Sequence, residues 1–166
     1  AINTLAKYDV INGKSENIFA PNDYIKREEF AQLIVKSFNI PSGAQELKFE
    51  DVSKDAWYYD SLKKAFSNGI INGMSETRFG TGEFITRQDM AVMLYRAAAA
   101  AGVEILVVDA EKTVNDSADI SGYAADAVAE LVKAGIINGD QNRNFNPKNN
   151  ATRAQAAVMI YNLLYK

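Results

Sequence analysis

The chain has 166 residues, 48% of them hydrophobic, a net charge of −3 and a pI near 5.1. It is the size of one ordinary domain and apolar enough to bury a core, but too acidic to recruit nucleic acid through a general positive field. It contains neither cysteine nor histidine, which excludes disulfides, Cys/His metal centres, thiol nucleophiles and any Ser-His-Asp arrangement.

In chain order, Ile2, Leu5 and Ala6 begin a helical stripe that ends near Asp9. Val10-Ile11-Asn12-Gly13 and Phe19 follow, and a second stripe runs through Phe30, Leu33, Ile34 and Phe38. A polar linker spans 39–47. Tyr58, Leu62, Ala65 and Phe66 predict the next helix, which Gly69 is suited to end in the left-handed conformation. Ile70-Ile71-Asn72-Gly73 leads into a loop reaching residue 85, with Phe79 inside it. A loop that long between helices is often functional. Thr86 with Asp89 reads as a reciprocal capping box opening a helix through Met90, Met93, Leu94 and Ala97. The linker 101–112 contains Ile105-Leu106-Val107-Val108, read as a short strand or an apolar plug. The sequence then repeats itself: a helix through Ala124, Val128, Leu131 and Val132, Gly135, Ile136-Ile137-Asn138-Gly139 and Phe145. Thr152 with Gln155 opens a last helix through Ala156, Met159, Ile160 and Leu163. In the first copy Lys26 with Glu29 keeps only the second half of the box.

Three landmarks recur in register. The glycines Gly13, Gly73 and Gly139, the aromatics Phe19, Phe79 and Phe145, and the arginines Arg27, Arg87 and Arg153 are each separated by 60 and then 66 residues. That coincidence defines a tandem repeat. The expected fold is all-α: three helix-loop-helix repeats (1–40, 47–101 and 112–166) burying one another as a pseudo-threefold bundle in a single domain, 1–166. The first copy is expected to begin inside its repeat. No apolar run approaches the roughly 20 residues of a membrane span. The opening Ala1-Ile2-Asn3-Thr4 carries no secretion signal, so an export signal is expected elsewhere.

These residues resemble the S-layer homology domain. The middle copy reads Phe49-Glu50-Asp51-Val52, Trp57, Gly69-Ile70-Ile71-Asn72-Gly73, Phe79 and Ile85-Thr86-Arg87-Gln88-Asp89. The third reads Val114-Asn115-Asp116-Ser117, Tyr123, Gly135-Ile136-Ile137-Asn138-Gly139, Phe145-Asn146-Pro147 and Ala151-Thr152-Arg153-Ala154-Gln155. The first keeps Phe19-Ala20-Pro21 and Ile25-Lys26-Arg27-Glu28-Glu29. The resemblance implies a three-pronged, non-catalytic anchor on the Gram-positive cell surface. Its implied partner is an anionic wall polysaccharide linked to peptidoglycan, commonly bearing ketal-pyruvylated N-acetylmannosamine, held in grooves between repeats. It implies no cofactor, no metal, no membrane insertion and a monomeric isolated module. Lys26 for the capping Thr, Gly80-Thr81 for the residues around Pro, and Tyr123 for Trp depart from the family pattern, and copy one lacks the Asp and Trp. The grooves should therefore be unequal.

The chemistry suits such a ligand. A pyruvate ketal presents a carboxylate, which a guanidinium pairs with bidentately. A cation in the first turn of a helix costs roughly 0.3–1 kcal/mol, so its recurrence at Arg27, Arg87 and Arg153 favours an anion receptor over helix stability. The bland alternative is a salt bridge to Glu28, Asp89 or a neighbouring loop. On the receptor reading, Arg87→Ala weakens binding with little change in melting temperature. Trp57 and Tyr123 suit stacking on a sugar face or simply opening a helix as core residues. Asp51 and Asp116 either accept sugar hydroxyls or cap the following turn. Gly13, Gly73 and Gly139 either admit a sugar to the backbone or permit a positive φ. Met74, Ser75, Lys14 and Ser15 complete the candidate glycan contacts.

Among rival classes, a glycosidase needs two carboxylates flanking a bond, and no pair is singled out. Asp140-Gln141-Asn142-Arg143-Asn144 imitates the start of a calcium loop. Phe145 and Ala151 stand where the turn glycine and bidentate Glu belong. A helical-repeat module binding another protein is the serious alternative, and it predicts an exposed apolar patch.

Overall fold

The computed structural model describes residues 19–165. Five α-helices lie in this span: α1 (Arg27–Ser37), α2 (Tyr59–Ser67), α3 (Arg87–Ala100), α4 (Ala125–Lys133) and α5 (Arg153–Tyr165). Single 3-10 turns at Ser117–Asp119 and Gly122–Ala124 precede α4. The described residues form no β-strand, only three isolated antiparallel bridges. The all-α expectation holds. The first predicted helix, with Asp9, Gly13, Lys14 and Ser15, lies outside the described residues.

Pairing runs across repeats. The second helix of one copy packs on the first helix of the next, α1 on α2 and α3 on α4, while α1 also meets α3 and α5. The predicted stripes face this junction: Ile34, Leu62, Ala65, Leu94, Leu131 and Ile160 are fully buried or nearly so. Each such apolar side chain contributes about 1.5–3 kcal/mol on burial, which compensates for helices too short to persist alone.

The shorter helices end as the sequence predicts. Gly69 and Gly135 both take φ +70°. Ile70 N–H reaches back to Ala65 O at 2.8 Å and Gly69 N–H to Phe66 O at 3.0 Å. Ile136 N–H to Leu131 O (3.0 Å) and Gly135 N–H to Val132 O (2.9 Å) repeat this Schellman pattern.

The centre of the molecule is a closed triangle of backbone hydrogen bonds. Ile25 N–H donates to Ala151 O (3.0 Å), Ala151 N–H to Ile85 O (2.9 Å), and Ile85 N–H to Ile25 O (3.0 Å). All three residues are completely buried, so each polar group removed from water finds its partner in the next copy. A second ring, running in the opposite sense, joins Arg27 N–H to Glu83 O, Arg87 N–H to Asn149 O and Arg153 N–H to Asp23 O at 2.9–3.0 Å. These two rings are the pseudo-threefold axis that the repeat spacing implied.

Two expectations need correction. Residues 105–108 form no strand, and of the apolar run only Ile105 packs, part-buried, against the core, while Leu106, Val107 and Val108 are 66%, 49% and 73% exposed. The segment instead lies across the end of α4, where Val108 and Asp109 N–H both donate to Lys133 O (3.1 and 3.0 Å). The second correction concerns the capping box of α3. Thr86 Oγ1 accepts from Asp89 N–H (3.2 Å), but the Asp89 carboxylate does not return to the cap. In copies one and three the longer side chains do return: Lys26 N–H to Glu29 Oε2 (2.8 Å) and Thr152 N–H to Gln155 Oε1 (3.0 Å). Asp89 is a methylene shorter than Glu and is drawn to a cation elsewhere.

Candidate functional site

The arginines are the first residues of α1, α3 and α5, and each reaches into the following copy. Arg27 Nε–H donates to Phe79 O (3.0 Å), Arg87 Nε–H to Phe145 O (2.6 Å), and Arg153 Nε–H to Phe19 O (3.0 Å). Each guanidinium also lies over the ring of that same phenylalanine, at 5.2, 5.0 and 4.9 Å from its centroid. This cation–π and hydrogen-bond clasp closes a third ring around the axis. One edge of every guanidinium is thus structural. Arg87→Ala is therefore expected to cost stability as well as binding.

The loops that receive the arginines are held from below. Asp51 accepts N–H groups from Phe79 (2.8 Å), Gly80 (2.7 Å) and Thr81 (2.9 Å). Asp116 accepts from Phe145 (2.7 Å) and Asn146 (2.6 Å). Burial pushes the Asp51 carboxyl up, but the backbone N–H groups of Phe79, Thr81 and Gly80 outweigh it and hold it below the ordinary Asp value. Neither carboxylate caps the turn after it; each clamps a loop some thirty residues on. Gly73 and Gly139 are needed by the same loops. A Cβ at Gly139 would lie 2.5 Å from the Arg143 carbonyl carbon, and one at Gly73 2.5 Å from Phe49 Cε1.

Two grooves lie beside the clasps. The first, about 400 Å³, joins Arg27 to Ile70, Ile71, Asn72, Gly73, Met74, Asp89, Val92, Met93, Arg96 and Tyr123. Here Arg27 Nη1 is paired with Asp89 Oδ2 at 3.0 Å. Asp89 Oδ1 in turn accepts from the Tyr123 hydroxyl (2.6 Å), which accepts from Gln88 Nε2 (2.9 Å). Gln88 is fixed by Ser121, whose N–H donates to Gln88 Oε1 (3.1 Å). Burial and the Asp89 carboxylate push the Tyr123 phenol up to about 12, so it stays a hydrogen-bond donor at any ordinary pH.

The second groove surrounds Arg87. Its polar part, about 740 Å³, is lined by Arg87, Tyr24, Gly139, Asp140, Lys148, Gln155 and the asparagines 138, 144, 146, 149 and 150. A smaller apolar recess adjoins it, where Ile136, Ile137, Val158, Met159 and Asn162 stand at the repeat positions of Ile70, Ile71, Val92, Met93 and Arg96. Gln155 stands where Asp89 stands in the first groove. Among the described residues no acceptor bonds the Nη groups of Arg87. Burial pushes the Arg87 guanidinium below its ordinary value, against the attraction of Asp116 and Asp140. Asp140 is itself occupied: it accepts Asn142 N–H (2.8 Å) and Asn144 N–H (3.0 Å), shaping the asparagine loop. No cluster of three or more acidic side chains suited to a metal occurs among the described residues.

The remaining candidates divide. Gly139 lines the Arg87 groove, while Met74, Gly73 and Tyr123 line the Arg27 groove. Ser75 is exposed and lines neither. Trp57 is 60% exposed, edge-on to Tyr58 at 5.0 Å, so it is not a core residue. Arg153 holds Phe19 through the same clasp. The sequence reading missed Gln155, Tyr24, Lys148 and the asparagines. Asp89 was legible both as a cap and as a salt-bridge partner of an arginine, whereas Gln155 was legible only as a cap.

The S-layer homology domain model matches residues 1–31, 48–91 and 115–157. The chain is 35% identical over 170 residues to an amylopullulanase from Thermoanaerobacterium thermosulfurigenes and 35% over 170 to an exoglucanase from Acetivibrio thermocellus. It is 29% identical over 166 residues to a surface-layer 125 kDa protein from Lysinibacillus sphaericus. These alignments cover 99%, 99% and 96% of this chain but only 9%, 15% and 13% of those proteins. The chain belongs to the S-layer homology domain family. That membership makes it a tandem-repeat, surface-anchoring module working outside the cell, at the cell wall. No helix among the described residues is long and apolar enough to cross a membrane.

Proposed function

We propose that this module is non-catalytic and holds an acidic cell-wall polysaccharide in the Arg87 groove, receiving a carboxylate such as a ketal pyruvate on the free edge of Arg87. One observation carries this reading: Arg87 alone of the two described groove arginines faces a polar groove without a carboxylate on its guanidinium. The fork geometry of that edge suits bidentate pairing. The asparagines offer both donors and acceptors to sugar hydroxyls, Lys148 adds positive charge, and Tyr24 offers an aromatic face. The reading takes residues 1–166 as one monomeric unit of three repeats, its polymer linked to peptidoglycan.

Calorimetric titration with purified wall polymer, before and after mild acid removal of ketal pyruvate, tests it. Binding lost with the pyruvate supports the carboxylate mechanism. Equal binding after treatment removes that mechanism while retaining glycan recognition. The protein-binding alternative draws on the exposed Leu106-Val107-Val108 run, and it gains if neither polymer binds.

A further inference from the structure

We propose that Asp89 is a built-in occupant of the Arg27 groove. It supplies the carboxylate that the Arg87 groove takes from a ligand, so the residue three positions into each second helix sets how many anionic sugars the module holds. The proposal rests on the reading of the Arg87 groove as a carboxylate receptor and assigns its counterpart the closed state.

The two grooves share a frame, with Nε of each arginine bonded to the carbonyl of a buried phenylalanine. What differs is the group facing the outer guanidinium edge. In the Arg27 groove this is Asp89, one oxygen on Arg27 Nη1 and the other held by Tyr123. Tyr123 is anchored through Gln88 to Ser121, so the carboxylate is braced from the next repeat's helix start. An incoming carboxylate would have to displace Asp89 or lie beside it, and like charges in contact repel. In the Arg87 groove the equivalent side chain is Gln155, which is neutral and turned back onto its own cap through Thr152 N–H. Arg96 also lines the Arg27 groove. It lies seven residues beyond Asp89, about 10 Å along the helix, so it draws anions without opening Arg27.

Reciprocal exchange tests the idea. A ketal-pyruvylated N-acetylmannosamine monosaccharide is titrated calorimetrically into the wild type, Asp89→Gln and Gln155→Asp, with melting temperatures recorded to confirm folding. Asp89→Gln is expected to gain one equivalent of bound sugar over the wild type. Gln155→Asp is expected to lose one, with at least a tenfold fall in affinity, although Arg87 is untouched. An unchanged stoichiometry in folded Asp89→Gln overturns the proposal. Should it misfold, an unchanged count in Gln155→Asp does so. Failure of the underlying reading looks different: the wild type then binds no sugar, and a site gained only in Asp89→Gln would still uphold the closed groove.

Discussion

The Arg27 and Arg87 grooves are built from the same parts and differ in one decision. Both place a guanidinium over a buried phenylalanine and bond its Nε–H to that residue's carbonyl. At Arg27 the remaining edge is satisfied internally by Asp89, and the pair is braced by Tyr123. At Arg87 the remaining edge lies in a groove lined by asparagines, Lys148 and Asp140, and among the described residues no carboxylate is bonded to it. A repeat protein can thus use one motif in two ways: an arginine with its own carboxylate is a rivet, and the same arginine without one keeps an edge open, the edge proposed above to receive a ligand. Exposed ion pairs contribute little, but one this buried is costly to break because it strands a charge.

Several substitutions would break or sharpen the contrast, beginning with the largest effect. Arg87→Ala should weaken binding of the pyruvylated monosaccharide about 100-fold, the loss of a bidentate charge-assisted pair worth roughly 3 kcal/mol. Calorimetry reads this directly. Arg27→Ala should leave that affinity within about twofold yet destabilise the fold by about 3 kcal/mol, because it removes the clasp and orphans Asp89. Thermal melting of the two variants side by side checks that Arg27→Ala loses more stability than Arg87→Ala, which removes a clasp without orphaning a carboxylate. Asp51→Ala should cost about 2 kcal/mol by releasing three N–H groups of the Phe79 loop, lowering the melting temperature by roughly 4–8 °C.

The same aspartate sets an acid dependence. Its folded pKa is depressed below 3.8, so its stabilisation is complete above about pH 4 and is lost as pH falls through the lower folded value. The stability gap between wild type and Asp51→Asn should therefore be constant from pH 5 to 7 and narrow towards pH 2, measured by denaturant titration. Smallest of all, Trp57→Ala should change stability by no more than about 0.5 kcal/mol, since its ring is largely exposed. A larger loss would show that the ring is structural after all.

The fold was nearly all legible in the residues. Apolar spacing located α1 to α5, Gly69 and Gly135 marked the ends of α2 and α4, and the common offsets of Gly, Phe and Arg implied the threefold arrangement. These are local rules, written in neighbouring residues. The site was half legible. The arginines stood out as unfavourable cations at helix starts, but sequence could not show that one edge of each is spent on a carbonyl in the next repeat. The salt bridge was foreseen as an alternative and is real for Arg27, with Asp89 as its partner. Asp51 and Asp116 were visible as polar residues before a helix, whereas the loops they clamp lie far along the chain. What remained hidden was contact between repeats, because periodicity describes each copy and not the face it presents to the next. The exposed run at 106–108 was hidden for a related reason: apolarity predicts burial, and here Leu106, Val107 and Val108 stay largely exposed.

The most direct test is to follow the arginine side-chain Nε–H resonances by NMR while titrating the module with the pyruvylated monosaccharide. The account predicts that the Arg87 signal shifts in proportion to bound sugar while that of Arg27 stays in place. A shift at Arg27 with none at Arg87 would contradict it.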